Sequence, residues 1–542
     1  MGKLKAHAQK RDAIVRKFKE EQVTNFMDGI SYKVNPLDTL KIIASSSIFG
    51  EPSYYRKSKA SRSRSYVHMQ IDKVPFLFAH YKDPKMSTED VFEDAIDNAL
   101  EFDFFGTLKL AVELRSAYQM RLNPSVIVMR AAVHPKRVEF SKEAPGLLRD
   151  TIRKVIQRPD DSFNQFEYYM YMNGSKKGLP SVVKRAWGDK LTNSPAWALK
   201  KYIQPRLFDI VNIAHPKKSE ALAELMTTGD IKVDESDTKW ETLRAQGKSF
   251  KEIYEAGRFN HMALLRNLRN IFTETEDLNF AKIVVEDLKN GVEKGRQFPF
   301  RYYTAHNILH GNRDINHLPI LLDGLEDCID LAMDNFPKLD GKTMCLADNS
   351  GSAHGALPSQ YGTVNVAQIA NLSSIMTAAN SDEGYVGVFG DTLKISAIKK
   401  RAGILEQHKK INGLRGTIGG GTEHGIWLFW EQALAEKQHW DNVFIYSDMQ
   451  AGHGNLYGHG RIANKFLVAG DSRHIDVLKC VQAYREEVNP KVNVFSVQVA
   501  GYDNSVLPEN LYRTALLSGW TGNETIYANS LNNVWDQLEQ RQ

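Results

Sequence analysis

The spacing of the apolar residues changes once along this chain, near residue 335, and no other feature restricts its fold as much. Upstream, apolar side chains recur at three- and four-residue spacing, as in Phe92-Ala95-Ile96-Ala99-Leu100 and Phe104-Leu108-Ala111-Val112, the pattern of amphipathic helices. Breakers at Asn123-Pro124, His134-Pro135, Ala144-Pro145-Gly146, Arg158-Pro159, Gly178-Leu179-Pro180 and His215-Pro216 cut this stretch into helix-length windows. Short helices in series, without strand-like alternation, predict helix pairs stacked as a solenoid. No strict sequence period is present, so the repeats are degenerate. Downstream, apolar runs of strand length take over at 343–347, 385–389, 443–446, 492–500 and 525–528, with helix-length segments at 363–379, 422–436 and 473–487 between them. Strands alternating with helices predict a doubly wound, mostly parallel sheet, whose ligands bind beyond the carboxyl ends of the strands.

The 542 residues are 42% hydrophobic and 25% charged, which excludes a disordered, collagenous or low-complexity chain. Cys328, Cys345 and Cys480 are too few for a disulfide framework and lack the CxxC spacing of a zinc module. Such sparse cysteine fits a reducing compartment, and a cytoplasmic location is expected. No apolar run is long enough to span a bilayer. The N-terminus carries charges where a secretory signal needs an apolar core, and Ala6 stands where a myristoylation signal beginning at Gly2 needs Ser or Thr.

The net charge of +5 hides an asymmetry. Residues 1–340 carry 53 basic against 46 acidic residues, and the remainder 17 against 19. Within 130–220 the balance is 18 against 9. A positive charge concentrated in one stretch can hold phosphates, although a solvated basic face gives the same count. Lys176, Lys177, Lys184, Arg185, Lys190, Lys200, Lys201, Arg206, Lys217 and Lys218 crowd this stretch, and such groups give salt-dependent binding to nucleic acid. Lys184-Arg185 and Lys200-Lys201 fall in helical windows beside Trp187 and Trp197, and both tryptophans are read as core. Arg266 and Arg269 share a helix face at i, i+3, where they either meet a ligand or form surface pairs.

The second half gathers oxygen groups at one sheet edge. The run Met344-Cys345-Leu346-Ala347 ends in Asp348-Asn349-Ser350-Gly351-Ser352, Gly419-Gly420-Gly421 precedes Thr422, and Val443-Phe444-Ile445-Tyr446 ends in Ser447-Asp448. Hard divalent cations such as Mg²⁺ take oxygen ligands of this kind. Ser352 or Thr422 alone suits a helix N-cap equally well; the whole set in order points to metal. No Lys-Ser/Thr follows the glycines, so they are not a Walker loop. Ser350 lacks the G-x-S-x-G setting of a nucleophile, and His354 and His424 are read as ordinary loop histidines.

This set resembles the metal-ion-dependent adhesion site of von Willebrand factor A domains over about 336–542. The resemblance implies that Ser350, Ser352 and Thr422 are direct ligands, that Asp348 and Asp448 act largely through water, and that one position stays open for a carboxylate from a partner.

An A-like domain behind a basic helical half resembles, in turn, the TROVE-domain family of Ro proteins. Phe49-Gly50-Glu51-Pro52-Ser53-Tyr54-Tyr55, Leu207-Phe208-Asp209-Ile210 through His215-Pro216-Lys217, Met262-Ala263-Leu264-Leu265-Arg266-Asn267-Leu268 and Phe298-Pro299-Phe300 are similar to its local segments, the first shortened and the second with its Lys-Pro order altered. The resemblance implies a multidomain chain: a basic extension at 1–20, an all-α ring of HEAT-like helical repeats at 21–335, and an α/β doubly wound von Willebrand A-like domain at 336–542 that closes the ring. It implies a monomeric RNA-binding protein without catalytic activity, taking a small non-coding Y-like RNA on a basic outer surface and single-stranded 3′ ends of misfolded RNA in a central hole, for RNA quality control or stress response. An exoribonuclease such as polynucleotide phosphorylase is an implied partner. His215 falls on the family position that contacts Y RNA, and it suits a helix C-cap as well. The competing reading is a metal-dependent protein-interaction module without RNA binding. A metal-dependent hydrolase would need a base near the metal, and none is identified.

Overall fold

A computed structural model of the chain describes residues 22–24, 30–45, 88–118, 120–233, 240–295, 297, 299–312, 314–335, 338–351, 353–354, 365–399, 402–420, 425–447, 449, 466–468, 474–499, 504–508, 513–518, 525, 528–529, 531–533 and 536. Tyr54-Tyr55, Phe298, Ser352, Thr422, His424 and Asp448 lie outside these residues.

The upstream half is a series of short helices. Phe92, Ala95, Ile96, Ala99 and Leu100 form the buried face of helix Thr88–Phe102. Asp103 then ends one helix and starts the next, because its carboxylate accepts the Gly106 N–H at 2.8 Å and caps Phe104–Ser116. Pro135 and Pro216 lie just past helix ends. Pro124 breaks nothing: it occupies the first turn of helix Leu122–Val133, where its missing N–H has no partner to lose. A buried charge cluster ties the early helices to the middle ones. The Asp161 carboxylate takes Arg115 at 3.0 Å and Arg121 at 2.8 Å, and also the N–H groups of Gln157 and Arg158. Burial pushes this carboxyl up, but the two guanidinium groups prevail and hold it below the usual carboxylate range.

The described strands, in chain order, are β1 (Gln22–Thr24), β2 (Ile30–Lys33), β3 (Leu339–Asp348), β4 (Ser381–Phe389), β5 (Leu393–Ala397), β6 (Asn442–Ser447), β7 (Asn493–Gln498), β8 (Asn504–Ser505) and β9 (Thr514–Ser518). Six of them form the sheet of the downstream half, in the order β5-β4-β3-β6-β7-β9. All pair in parallel except β4 with β5. Alternate residues of the central strands enter two cores. Cys345, Ala347, Phe444 and Tyr446 pack with helix Val366–Ala379, and Met344, Leu346, Val443 and Ile445 pack with helices Gly425–Ala435 and Val477–Glu487. Burial on both faces is why these strands read as unbroken apolar runs.

Both ends of the helical half dock on this domain. At the start, β1 pairs with β2, and β2 pairs with β8 through Tyr32 and Ser505. At the finish, Asp330 on helix Leu318–Ala332 accepts the Ile404 N–H at 3.0 Å and so caps helix Ile404–Gly413, while Tyr303 meets His408 edge-on with ring centroids 5.2 Å apart. Both ends of the helical half are thus joined to the α/β domain.

Two expectations fail. The region from 21 to 335 is not wholly helical, since β1 and β2 add to a sheet completed by β8, far away in sequence. In the run 525–528, expected as a strand, the described residues Thr525 and Ala528 are helical and buried, and the Thr525 hydroxyl meets that of Thr377 at 2.9 Å. The edge strand is the short TALLS segment of β9 instead.

Candidate functional site

Asp348 is the last residue of β3 and is fully buried. Its carboxylate is held from two sides: the Ser350 N–H donates to Oδ1 at 2.9 Å, and the Ser447 hydroxyl donates to Oδ2 at 2.7 Å. The Ser447 hydroxyl oxygen in turn accepts the Met449 N–H at 3.0 Å. Ser447 ends β6, the strand beside β3, so the two strand ends are tied at the point where their loops leave the sheet. The glycine loop is tied to the same place, with the Gly351 N–H donating to the Gly420 carbonyl at 2.7 Å. Gly419 has φ 79°, and a Cβ there would lie 1.9 Å from Asp391 Oδ2, so only glycine fits this packing.

These hydrogen bonds bring Ser350, the glycine loop at Gly419-Gly420 and the end of β6 to one sheet edge. A cavity of about 290 Å³ opens there, lined by Asn349, Ser350, Gly351, His354, Arg415, Gly416, Gly419 and Gly420. The donor chemistry fits a hard cation: a buried, pre-oriented carboxylate stands behind a serine at the cavity wall. Ser352, Thr422 and Asp448 lie outside the described residues, so of the five expected ligands only Asp348 and Ser350 are placed. Among the described residues no three His, Cys, Asp or Glu side chains cluster as a metal site.

Sequence reasoning missed one cavity residue and misread another. Arg415 belongs to no motif and reaches the cavity only through the fold. His354 is no ordinary loop histidine: its Nε2 lies 3.0 Å from Asn349 Oδ1, and burial, then Arg415, pushes its pKa down to about 4. Asn349 and Asn371 exchange amide hydrogen bonds at 2.6 and 2.9 Å, and Asn371 also donates to Asn412 at 2.6 Å. Asn412 reaches His408, so a chain of polar groups runs from the cavity wall to the helical half at Tyr303. His408 is pushed down to about 4 by burial and is neutral near pH 7.

The basic stretch occupies successive helices and turns. Lys176 and Lys177 follow helix Asp161–Asn173, Lys184 and Arg185 lie on Ser181–Thr192, Lys200 and Lys201 end Ala196–Lys201, and Arg206 opens Pro205–Ala214. His215 is the left-handed C-cap of that last helix, with φ 47°, and is exposed. Lys217 and Lys218 follow, the Lys217 N–H donating to Thr192 at 3.0 Å. Their electrostatic states differ. Lys200 is paired with Asp230, and Arg206 with Glu167 and Asp209 at 3.4 Å each. Lys176, Lys177, Lys184, Lys217 and Lys218 form no ion pair among the described residues; all are exposed except the half-buried Lys184. Arg266 and Arg269 share the exposed side of helix His261–Glu274, on a different part of the ring, and are likewise without an ion pair among the described residues. Trp187 is core, donating to Gln165 at 2.7 Å. Trp197 is not: it is 53% exposed, because the inward positions of its short helix are taken by Ala198 and Leu199.

No protein-family model and no curated protein matches the sequence. Solved structures match through their architecture. One is the crystal structure of the Deinococcus radiodurans Ro (RSR) protein, with a TM-score of 0.54 and 14% identity over 81% of this chain and 93% of that one. This chain has the Ro fold. A match over that share of the chain extends into both the helical ring and the α/β domain. The six-stranded sheet of this Ro fold is compatible with a von Willebrand A-like domain. Among the described residues no helix is long and apolar enough to cross a membrane.

Proposed function

We propose that this chain is an RNA-binding scaffold and not an enzyme. The observation that carries this reading is the set of exposed lysines at 176–177 and 217–218, without an ion pair among the described residues, on a Ro fold. Cations without a carboxylate partner neutralise phosphates at the least cost, because no existing ion pair has to break. A small structured Y-like RNA binds this basic face, with Lys184 and His215 beside it. Arg266 and Arg269, on another helix, take the single-stranded 3′ ends of misfolded RNA. The role is RNA quality control or stress response, in partnership with a 3′ exoribonuclease such as polynucleotide phosphorylase. Sequencing the nucleic acid that co-purifies with the protein tests this directly: small structured RNA supports the reading, and its absence counts against it.

The cavity beside Ser350 favours a second role for the α/β domain. Ser350, Ser352 and Thr422 would hold a divalent cation that Asp348 and Asp448 neutralise incompletely, since three of the five groups are neutral hydroxyls; when bound, the cation supplies positive charge for an acidic ligand. Asp348 orients the Ser350 backbone, and Arg415 adds a fixed positive charge at the cavity wall. This arrangement suits docking of a carboxylate-bearing partner.

A further inference from the structure

We propose that Trp197 is a stacking platform for an unpaired RNA base, with Lys201 set one turn away to meet the adjoining phosphate. This rests on the RNA-binding reading and adds the class of nucleotide: single-stranded, with its base free to leave its neighbours.

Trp197 is the one aromatic among the large apolar side chains exposed in the described residues. Its display is built in. Pro195 starts the short helix Ala196–Lys201, with the N–H groups of Ala198 and Leu199 donating to its carbonyl at 3.0 and 3.1 Å. Ala198 and Leu199 are 7% and 0% exposed and anchor the helix to the core, which fixes Trp197 on the outward side. The neighbouring Trp187 shows what a structural tryptophan looks like here: fully buried, hydrogen-bonded to Gln165 and edge-on to Phe166 at 6.0 Å. Trp197 has no hydrogen bond or ring stacking of this kind among the described residues.

Basic residues surround it. Lys200, itself paired with Asp230, and Lys201 lie at i+3 and i+4 from Trp197, on the same side of the helix. The Lys201 ammonium stands 5.8 Å from the Tyr202 ring centroid, and Lys201 follows Trp197 by one helical turn. Lys217, which is exposed, is bonded through its backbone N–H to Thr192, three residues before Pro195. A protein-binding tryptophan is typically set among other apolar groups that exclude water; this one is flanked by lysines. An aromatic plane beside cations is the arrangement that binds single strands, the ring stacking on the base and the cation meeting the backbone.

The experiment compares wild type, W197A and W197F for binding of a short oligouridylate, an abasic oligoribose phosphate of equal charge, and a fully paired RNA duplex, each over a range of salt. Thermal melting of both variants checks that the fold is kept. The expected result is a loss of roughly 5- to 30-fold for W197A with oligouridylate, most of it restored in W197F, no change with the abasic strand or the duplex, and an unchanged salt slope because no charge is removed. Wild-type affinity of W197A for oligouridylate, with wild type itself binding RNA, overturns the platform and leaves the RNA-binding reading standing. Equal losses on all three probes overturn it too, because they report a role without base stacking. If wild type binds none of the probes, the RNA-binding reading fails and the platform with it. Weaker binding of a protein partner by W197A, with RNA binding intact, assigns Trp197 to that partner and likewise overturns the proposal.

Discussion

Ser447 and Asp348 stand at the ends of neighbouring parallel strands and are joined by a 2.7 Å hydrogen bond between two fully buried side chains. The serine hydroxyl donates to the carboxylate while its oxygen accepts the Met449 N–H. One side chain thus ties Asp348 to the Met449 backbone beyond the end of β6. Ser447→Ala should destabilise the protein by about 1–3 kcal/mol, because it leaves a buried carboxylate and a buried N–H each short of a partner. Urea unfolding of the variant checks this, and stability within about 0.5 kcal/mol of wild type would mean that water or rearrangement replaces the hydroxyl.

Ser350→Ala with Ser352→Ala removes two of the proposed neutral ligands without exposing an unpaired charge. Calorimetric titration with Mg²⁺ should show loss of metal binding, while the melting temperature stays close to wild type and RNA affinity is nearly unchanged. Wild-type metal affinity would reject the ligand assignment. A parallel collapse of RNA binding would reject the separation of roles between the ring and the α/β domain.

Asp161→Asn should be among the most damaging changes in the ring. It leaves Arg115, itself 3% exposed, without its buried counter-charge, and breaking such a pair costs about 3–5 kcal/mol. The pH dependence has a definite sign. The folded-state pKa is lowered, so the carboxylate's contribution is present above the unfolded pKa and is lost as pH falls through the folded one. Acid unfolding followed by circular dichroism should therefore show a steeper loss of stability in wild type than in the Asn variant.

Glu326 and Asp330 point the other way. Burial raises Glu326, with Asp330, Asp323, Asp327 and Glu406 adding to it, and burial likewise raises Asp330 despite the Ile404 N–H. A carboxyl raised in the folded state disfavours folding once ionised, so the penalty is present above the folded pKa and fades as pH falls through it. Glu326→Gln should raise the melting temperature at neutral pH, and the gain should vanish in acid. A variant less stable than wild type at neutral pH would show that Glu326 makes a favourable interaction that outweighs the repulsion.

Much of the fold is legible in the sequence because burial and period go together. Phe92 through Leu100 repeat every turn because one face is buried, and β3 and β6 read as continuous apolar runs because both faces are. Asp348 is readable because it directly follows such a run. Ser447 is visible beside Asp448, but its bond to Asp348 depends on the pairing of β3 with β6, which no local pattern encodes. Arg415 reaches the cavity for the same reason. Trp197 misleads because a tryptophan beside alanines and a leucine looks like core, and the outward register of a helix of six residues is set by Ala198 and Leu199 alone. β1, β2 and β9 are too short to show an alternating pattern, and β2, besides pairing with β1, finds its second partner in β8, far away in sequence.

The cations of the basic stretch are not equally available to RNA. Arg206 packs over Phe166 at 5.2 Å and pairs with Glu167, whose carboxyl burial already pushes up, so its removal disturbs the ring as well as its charge. Lys200 is occupied by Asp230. The most direct measurement of RNA binding by this face is therefore a salt titration of a structured small RNA with wild type and with Lys176→Ala/Lys177→Ala/Lys217→Ala/Lys218→Ala, which removes exposed cations without an ion pair among the described residues. The expected result is weaker binding and a salt slope reduced by roughly 0.7–0.9 for each phosphate that is no longer neutralised. Affinity and slope equal to wild type would contradict it, and would place any RNA on another surface.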